Sequence, residues 1–298
     1  MLEVLRKKKY EILFNETIGA TPKFWEPFCY RIQSDGASED VAWLGSHPAV
    51  GEFMGEYEVI RTMGNYSFTL RNTRYGTAIL LGDTPGRTRG QQALDAIPRQ
   101  QADAMTSKWR ERFTTLLTGG TAAACFTTSN FFATSHTIGS FTSYSNLLTG
   151  SGIADLTQIQ TDIDAARAAL LKTKHDNNVD YFNMSLGRLT VLCPVALESA
   201  FLQLSKSGYI SATENVVYKG MFDVLALPEL DATDAKDWYL VAPGGTSKMP
   251  FILSVVQEPI SGTFIKANSF PQQTVFASYC DFGFGYGDPR TIIKVNNS

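Results

Sequence analysis

Between Pro98 and Gly120 apolar residues recur at three- and four-residue steps: Ala102, Met105, Trp109, Phe113, Leu116 and Leu117. At 3.6 residues per turn they share one face, while Gln101, Asp103, Lys108, Arg110, Glu111 and Arg112 occupy the rest of the surface. The pattern predicts a long helix, with Pro98 at its first position and Gly119-Gly120 as a left-handed stop. About 20 residues make a rod of roughly 30 Å, a spine along which sheets can be laid.

Other segments follow different periods. Leu2, Leu5, Ile12, Leu13 and Ile18 outline a weakly amphipathic helical arm around Arg6-Lys7-Lys8-Lys9. That basic run reads either as a solvated helix face or as a contact with nucleic acid or an acidic assembly partner. Thr21-Pro22 breaks the arm. Period-two alternation then runs through Tyr57, Val59 and Arg61 and again through Tyr66, Phe68 and Leu70, predicting a hairpin that reverses at Met63-Gly64-Asn65. Tyr75 to Leu81 is a further strand. Such a ribbon has too little apolar surface for its own core, so it and the arm are expected to find burial on adjoining copies of the chain.

In the second half, Ile159, Ile163, Ala166, Leu170 and Leu171 define a helix over Leu156 to Lys174. Arg188 to Cys193 is a buried strand, and Pro194 opens a helix through Leu197, Phe201 and Leu204. With strands over Val216 to Leu227, Trp238 to Ala242 and Phe251 to Val256, the strand–helix–strand order predicts an α/β lobe. The tail alternates, with Phe276, Ser278, Cys280, Phe282, Phe284 and Tyr286 on one side and Val275, Ala277 and Tyr279 on the other. It is expected to return to a sheet begun much earlier.

Composition narrows the function classes. At 298 residues the chain can bury one large core or two modest ones. Charged residues make up 18% and aromatics 12%, a balance that suits a β-rich globular protein with much paired surface. A net charge of -3 gives no global attraction to nucleic acid or anionic membrane. Cys29, Cys125, Cys193 and Cys280 form no CxxC pair and are read as reduced and mostly buried. His47, His136 and His175 lie near no cysteine cluster, so no metal site is expected. The amino-terminal basic run is followed by no apolar h-region, and synthesis in the cytoplasm is expected.

Candidate chemistry is sparse. Gly283, Gly285 and Gly287 form a GxGxG, but it ends an alternating strand and leads into Asp288-Pro289 rather than a helix, which argues against phosphate binding. Ser46-His47 and Ser135-His136 are adjacent pairs without a placed carboxylate. Asp231, Asp234 and Asp237 lack the glycine and terminal glutamate of a calcium loop and read as a solvated acidic loop. No catalytic, cofactor-binding or metal-binding residue is assigned.

Taken in order, TPKFWEPFCYRI, EDVAWLGSHPAVGEFMGEYEVIRTMGNYSFTLRNTRYGTAI, CFTTSNFFATSH, RLTVLCPVALESAFLQL, WYLVAPGGTSKMPFIL and DFGFGYG resemble the Mu-like major head subunit family of tailed phages and prophages. The series covers most of the chain. The resemblance implies an α+β chain of the Hong Kong 97-type capsid fold. Residues 1–50 would be an amino-terminal arm, 51–90 an extended loop, 91–155 and 256–298 a peripheral domain carrying the spine helix, and 156–255 an axial α/β domain. It implies a major capsid protein, not an enzyme, that forms homo-pentamers and homo-hexamers of an icosahedral virion shell around double-stranded DNA. Assembly would occur in the host cytoplasm, with scaffold, portal and decoration proteins as further partners and no membrane or cofactor. Tyr57, Arg61, Tyr66, Phe68 and Arg71 are the candidate intersubunit contacts, because Tyr and Arg suit interfaces and these lie on the ribbon; packing within the subunit is the other reading. Where relatives carry acidic residues, this chain has Ala133-Thr134-Ser135, so their role does not transfer. No lysine lies between Gly51 and Gln101, so no lysine–asparagine crosslink is expected through the loop. Alternatives are a non-viral protein compartment of the same fold and a small-oligomer hydrolase using His136 or His47.

Overall fold

The computed structural model describes residues 2–44, 65–81, 91–127, 129–137, 143–175, 181–182, 188–210, 213–233, 235–242, 249–265 and 273–297. In chain order the elements are α1 (Leu2–Ala20), β1 (Cys29–Gln33), β2 (Ser38–Leu44), β3 (Asn65–Arg71), β4 (Thr73–Leu81), α2 (Gln91–Gly119), β5 (Leu147–Thr149), α3 (Leu156–Lys172), β6 (Leu189–Cys193) and α4 (Val195–Lys206). There follow β7 (Tyr209–Ile210), β8 (Thr213–Glu214), β9 (Phe222–Ala226), α5 (Pro228–Asp231), β10 (Trp238–Val241), β11 (Phe251–Ile265), β12 (Thr274–Tyr286) and β13 (Ile292–Asn296). Two sheets dominate. One has the order β1-β11-β12-β4, the other β5-β13-β10-β6-β9.

Helix α2 is the spine that the periodicity predicts. Ala102, Met105, Trp109, Phe113 and Leu117 are buried, and Leu116 packs at the edge of the same cluster. Trp109 stacks on Phe282 at 4.2 Å, and Phe113 meets Phe24, Phe251 and Phe284 edge-on at 5.3 to 5.9 Å. These aromatic contacts lock the helix onto β11 and β12.

Both ends of the spine differ from expectation. The helix starts at Gln91, so Pro98 lies inside it and costs the backbone a hydrogen bond there. Tertiary contact offsets that cost, since α1 packs against this end and Lys9 pairs with Asp95 at 2.6 Å. At the far end, neither Gly119 nor Gly120 adopts a left-handed conformation. Gly120 is needed for space: a Cβ there would lie 2.6 Å from the Phe132 ring. Gln101, expected on the outer surface, is buried and donates Nε2 to the carbonyl of Phe276 at 3.0 Å.

The arm also departs from expectation. Helix α1 does not wait for a neighbour, because Tyr10 and Phe14 are buried in the subunit's own body and Tyr10 packs on Phe276 at 4.7 Å. Among the basic run, Lys8 and Lys9 are exposed.

In the five-stranded sheet, successive residues face different partners. Trp238, Leu240, Ile293, Val295, Leu189, Val191 and Cys193 point to α3 and α4, while Tyr239, Val241, Ile292 and Leu192 join the spine's cluster. Strand β6 runs parallel to β9 across α4, the strand–helix–strand unit the sequence predicts. Helix α3 is capped by Asp155, whose side chain accepts from the Gln158 amide at 2.9 Å.

The tail does return to the first sheet: β12 pairs with β4 and with β11, and β11 pairs with β1. The expected placing of all of 256–298 with the spine sheet needs correction, since β13 lies in the other sheet, between β10 and β5. Its alternating apolar residues serve both clusters, a role that the short segment does not disclose on its own. Within β11 the register shifts between Gln257 and Ile260, so Pro259 sits in a bulge where no ladder bond is asked of it.

Candidate assembly surface

Strand β3 pairs antiparallel with β2, from Ser38 opposite Arg71 to Leu44 opposite Asn65. The ribbon therefore uses Ser38–Leu44, a segment expected in the arm. Its predicted turn at Met63-Gly64-Asn65 lies mostly outside the described residues, with only Asn65, the first residue of β3, inside them. Tyr57 and Arg61 also lie outside the described residues. Tyr66 pairs with Trp43 in the ladder, Phe68 pairs with Val41 and is half-buried, and Arg71 is exposed.

The root of this ribbon is fixed to its own subunit by the first two glycines of the GxGxG, Gly283 and Gly285. A Cβ on Gly283 would lie 2.4 Å from the Arg71 carbonyl oxygen, and one on Gly285 would lie 2.6 Å from Leu70 and 3.1 Å from the Phe68 ring. A Cβ on Gly287 would lie 2.3 Å from the Met249 carbonyl. These glycines form a packing seam, alternating along β12 with Phe282, Phe284 and Tyr286. Leu70 is 3% exposed, so the ribbon's base is buried within the subunit rather than only on adjoining copies. Asn72 turns the chain from β3 into β4, donating Nδ2 to Gly36 at 2.7 Å and to Ser34 at 3.1 Å.

His136, the one described histidine offered as a base, is fully buried. Asn146 donates Nδ2 to the carbonyls of Phe131 and Pro289, which turns its Oδ1 toward the ring at 2.9 Å from Nε2. Nε2 therefore carries the proton, and Nδ1 accepts from the Thr127 hydroxyl at 3.0 Å, which in turn accepts from the Cys125 thiol at 3.0 Å. The network ties the segment after the spine to the segment before β5. It offers no lone pair to a substrate.

Burial lowers the His136 pKa below the ordinary histidine value. The folded ring is neutral while the unfolded chain protonates more readily, so this contribution is whole above the unfolded pKa and is lost as pH falls toward the folded one. Urea unfolding midpoints are expected to drop between about pH 7 and about pH 5, and a His136→Gln variant to show less of that drop.

The aspartate cluster is structural as well. Asp231 accepts from the Val195 and Ala196 amides at 3.2 Å and so caps α4. Asp237 is not solvated as expected but buried against Lys294 at 2.8 Å, while Asp234 lies outside the described residues. All four cysteines are free and buried, and burial raises each thiol pKa. No cluster of potential metal ligands occurs among the described residues.

What the sequence pattern does not reveal is an apolar outer face on the spine sheet. Leu80, Ile260, Phe264 and Tyr279 are exposed by 37 to 53% on that face, and Tyr209, Val216 and Val217 are exposed after α4. The tail's alternation puts Val275, Ala277 and Tyr279 on a side of their own. Only strand register shows which residues of β4 and β11 stand beside them.

The chain thus combines a long spine helix, a two-stranded ribbon seated by a glycine seam and a mixed α/β lobe. The family model for the Mu-like prophage major head subunit gpT matches residues 2–158, and that for the phage capsid protein matches residues 86–295. The chain belongs to the Mu-like prophage major head subunit family. No curated protein matches this head subunit. Among solved structures, the procapsid protein of bacteriophage JBD30 aligns with a TM-score of 0.55 at 14% identity, over 100% of this chain and 75% of that one. The capsid protein of cyanophage P-SCSP1u aligns with a TM-score of 0.60 at 10% identity, over 92% and 88%. A virus-like particle from Pyrococcus furiosus aligns with a TM-score of 0.56 at 9% identity, over 97% and 99%. The Hong Kong 97-type fold alone thus spans phage heads and a virus-like particle, and the family models favour the phage head over the compartment. The head subunit is a shell-forming major capsid protein that self-associates into capsomers, and its place is the virion shell. Among the described residues no helix is long and apolar enough to cross a membrane.

Proposed function

We propose that the head subunit builds pentamers and hexamers of an icosahedral shell around double-stranded DNA. In this reading α1 is the arm, the β2–β3 ribbon belongs to the extended loop, and the spine sheet and five-stranded sheet form the peripheral and axial domains. The shell is assembled in the host cytoplasm with scaffold and portal proteins, and contact with DNA is weak and non-specific, as the net charge of -3 suggests. The protein acts by assembly and not by catalysis.

The observation that carries this reading is the ribbon. Its root is clamped by Gly283 and Gly285, yet its ladder, about 20 Å long, joins no further strand among the described residues. Tyr57, Arg61, Tyr66, Phe68 and Arg71 are assigned the loop contacts, and the Phe68 ring also faces Gly285 of its own subunit. Changing Arg61 and Arg71 to Glu is expected to leave a folded subunit and block shell formation in sedimentation and microscopy; normal shells from that variant reject the assignment. With no lysine between Gly51 and Gln101, shells are expected to separate into single chains on denaturing gels, without a covalent ladder through the loop.

A further inference from the structure

The outer face of the spine sheet, opposite α1 and α2, is ordered in rows by the strand register. Leu80, Val275 and Phe264 stand side by side across β4, β12 and β11. Two residues along come Ala78, Ala277 and Gly262, and two further Gly76, Tyr279 and Ile260. The rows span about 13 Å along the strands. Large side chains at both ends and three small residues between them make a trough. Its floor is open: a Cβ placed on Gly262 would meet nothing within 4 Å. At one end Arg74 pairs with Asp281 at 3.3 Å and lies 5.4 Å over the Tyr279 ring, closing the trough with a neutralised rim. The other side of the same strands is filled, since Cys280 and Ser278 are buried and Phe276 packs on Tyr10.

We infer that this trough is a contact site for a second copy of the head subunit, receiving an apolar side chain between the Leu80–Phe264 and Tyr279–Ile260 walls. The inference rests on the shell-forming reading and names a surface within it. None of the nine trough positions is charged, which disfavours a polyanion as the occupant. The four walls expose on the order of 300 Å² of apolar surface, below the roughly 800 Å² per partner of a stable isolated pair. A contact of that size holds only when it is repeated beside others, as in a shell. β4 is also the outer strand of its sheet among the described residues, so its free backbone groups lie beside the trough for an approaching copy.

Gly262 gives a clean test because its side-chain space is empty. Gly262→Arg fills the trough with a charge without a clash inside the subunit, and Leu80→Asp places a charge on one wall. Each variant and the wild type are purified and compared by thermal unfolding and by sedimentation under shell-forming conditions. The expected result is an unchanged Tm with at least a tenfold fall in shell yield for both. Wild-type shells together with equally abundant shells from the folded variants overturn the trough alone and leave it to some other partner. Wild-type protein that never self-associates overturns the shell reading and the trough with it. Should Gly262→Arg prove unfolded, Leu80→Asp decides by the same yield.

Discussion

Replacing Lys294 with Met is expected to cost the folded subunit about 3–5 kcal/mol, because it leaves a buried carboxylate without its cation. Lys294 and Asp237 are almost fully buried and 2.8 Å apart. The pair arises from register: β13 runs antiparallel to β10, with Lys294 opposite Tyr239, and Asp237 stands just ahead of Trp238. The other Asp237 oxygen accepts from the Asn297 amide at 2.8 Å, so the same carboxylate fastens the end of β13. Urea unfolding should show a lower midpoint for Lys294→Met, and the double variant with Asp237→Leu should recover part of the loss. A loss under about 1 kcal/mol would mean that the pair is solvated after all.

Phe113→Ala should be about as costly, on the order of 3–5 kcal/mol. Its ring is fully buried and touches four other aromatic rings, from Phe24 and Phe28 ahead of β1 and from Phe251 and Phe284 in the spine sheet. Those neighbours belong to three separate segments, so they cannot all collapse into the space left behind. The exposed Arg112 beside it provides the contrast: Arg112→Ala should change stability by less than about 0.5 kcal/mol. Equal midpoints for the two variants would contradict the assignment of the spine's inner face.

The inner face of the spine was legible because an apolar stripe at a 3.6-residue period, kept up over about 20 residues, fits a helix and no strand. Its ends were not. Pro98 reads as a helix start by local rules, which do not contain α1, the helix that the preceding turns meet through Lys9 and Asp95. Gly120 reads as a left-handed stop, whereas its reason is the Phe132 ring, set by contacts that sequence spacing does not contain. Likewise the GxGxG is rightly separated from phosphate binding by its neighbours in sequence, but its purpose depends on β3 crossing above it. Asp237 looks solvated among its acidic neighbours because its partner, Lys294, lies far along the chain on another strand.

The assembly surface was legible in part. Aromatic and basic residues on a ribbon without a core pointed to that ribbon, and the structure adds that its base is held by the subunit itself. The trough was hidden, because each strand contributes only alternate residues. No single strand carries an apolar run that marks it.

Negative-stain microscopy of the purified head subunit tests the central claim most directly. Closed shells of uniform size built from this chain are the predicted result. A compact monomer at every concentration, with the ribbon folded back on its own body, would contradict it.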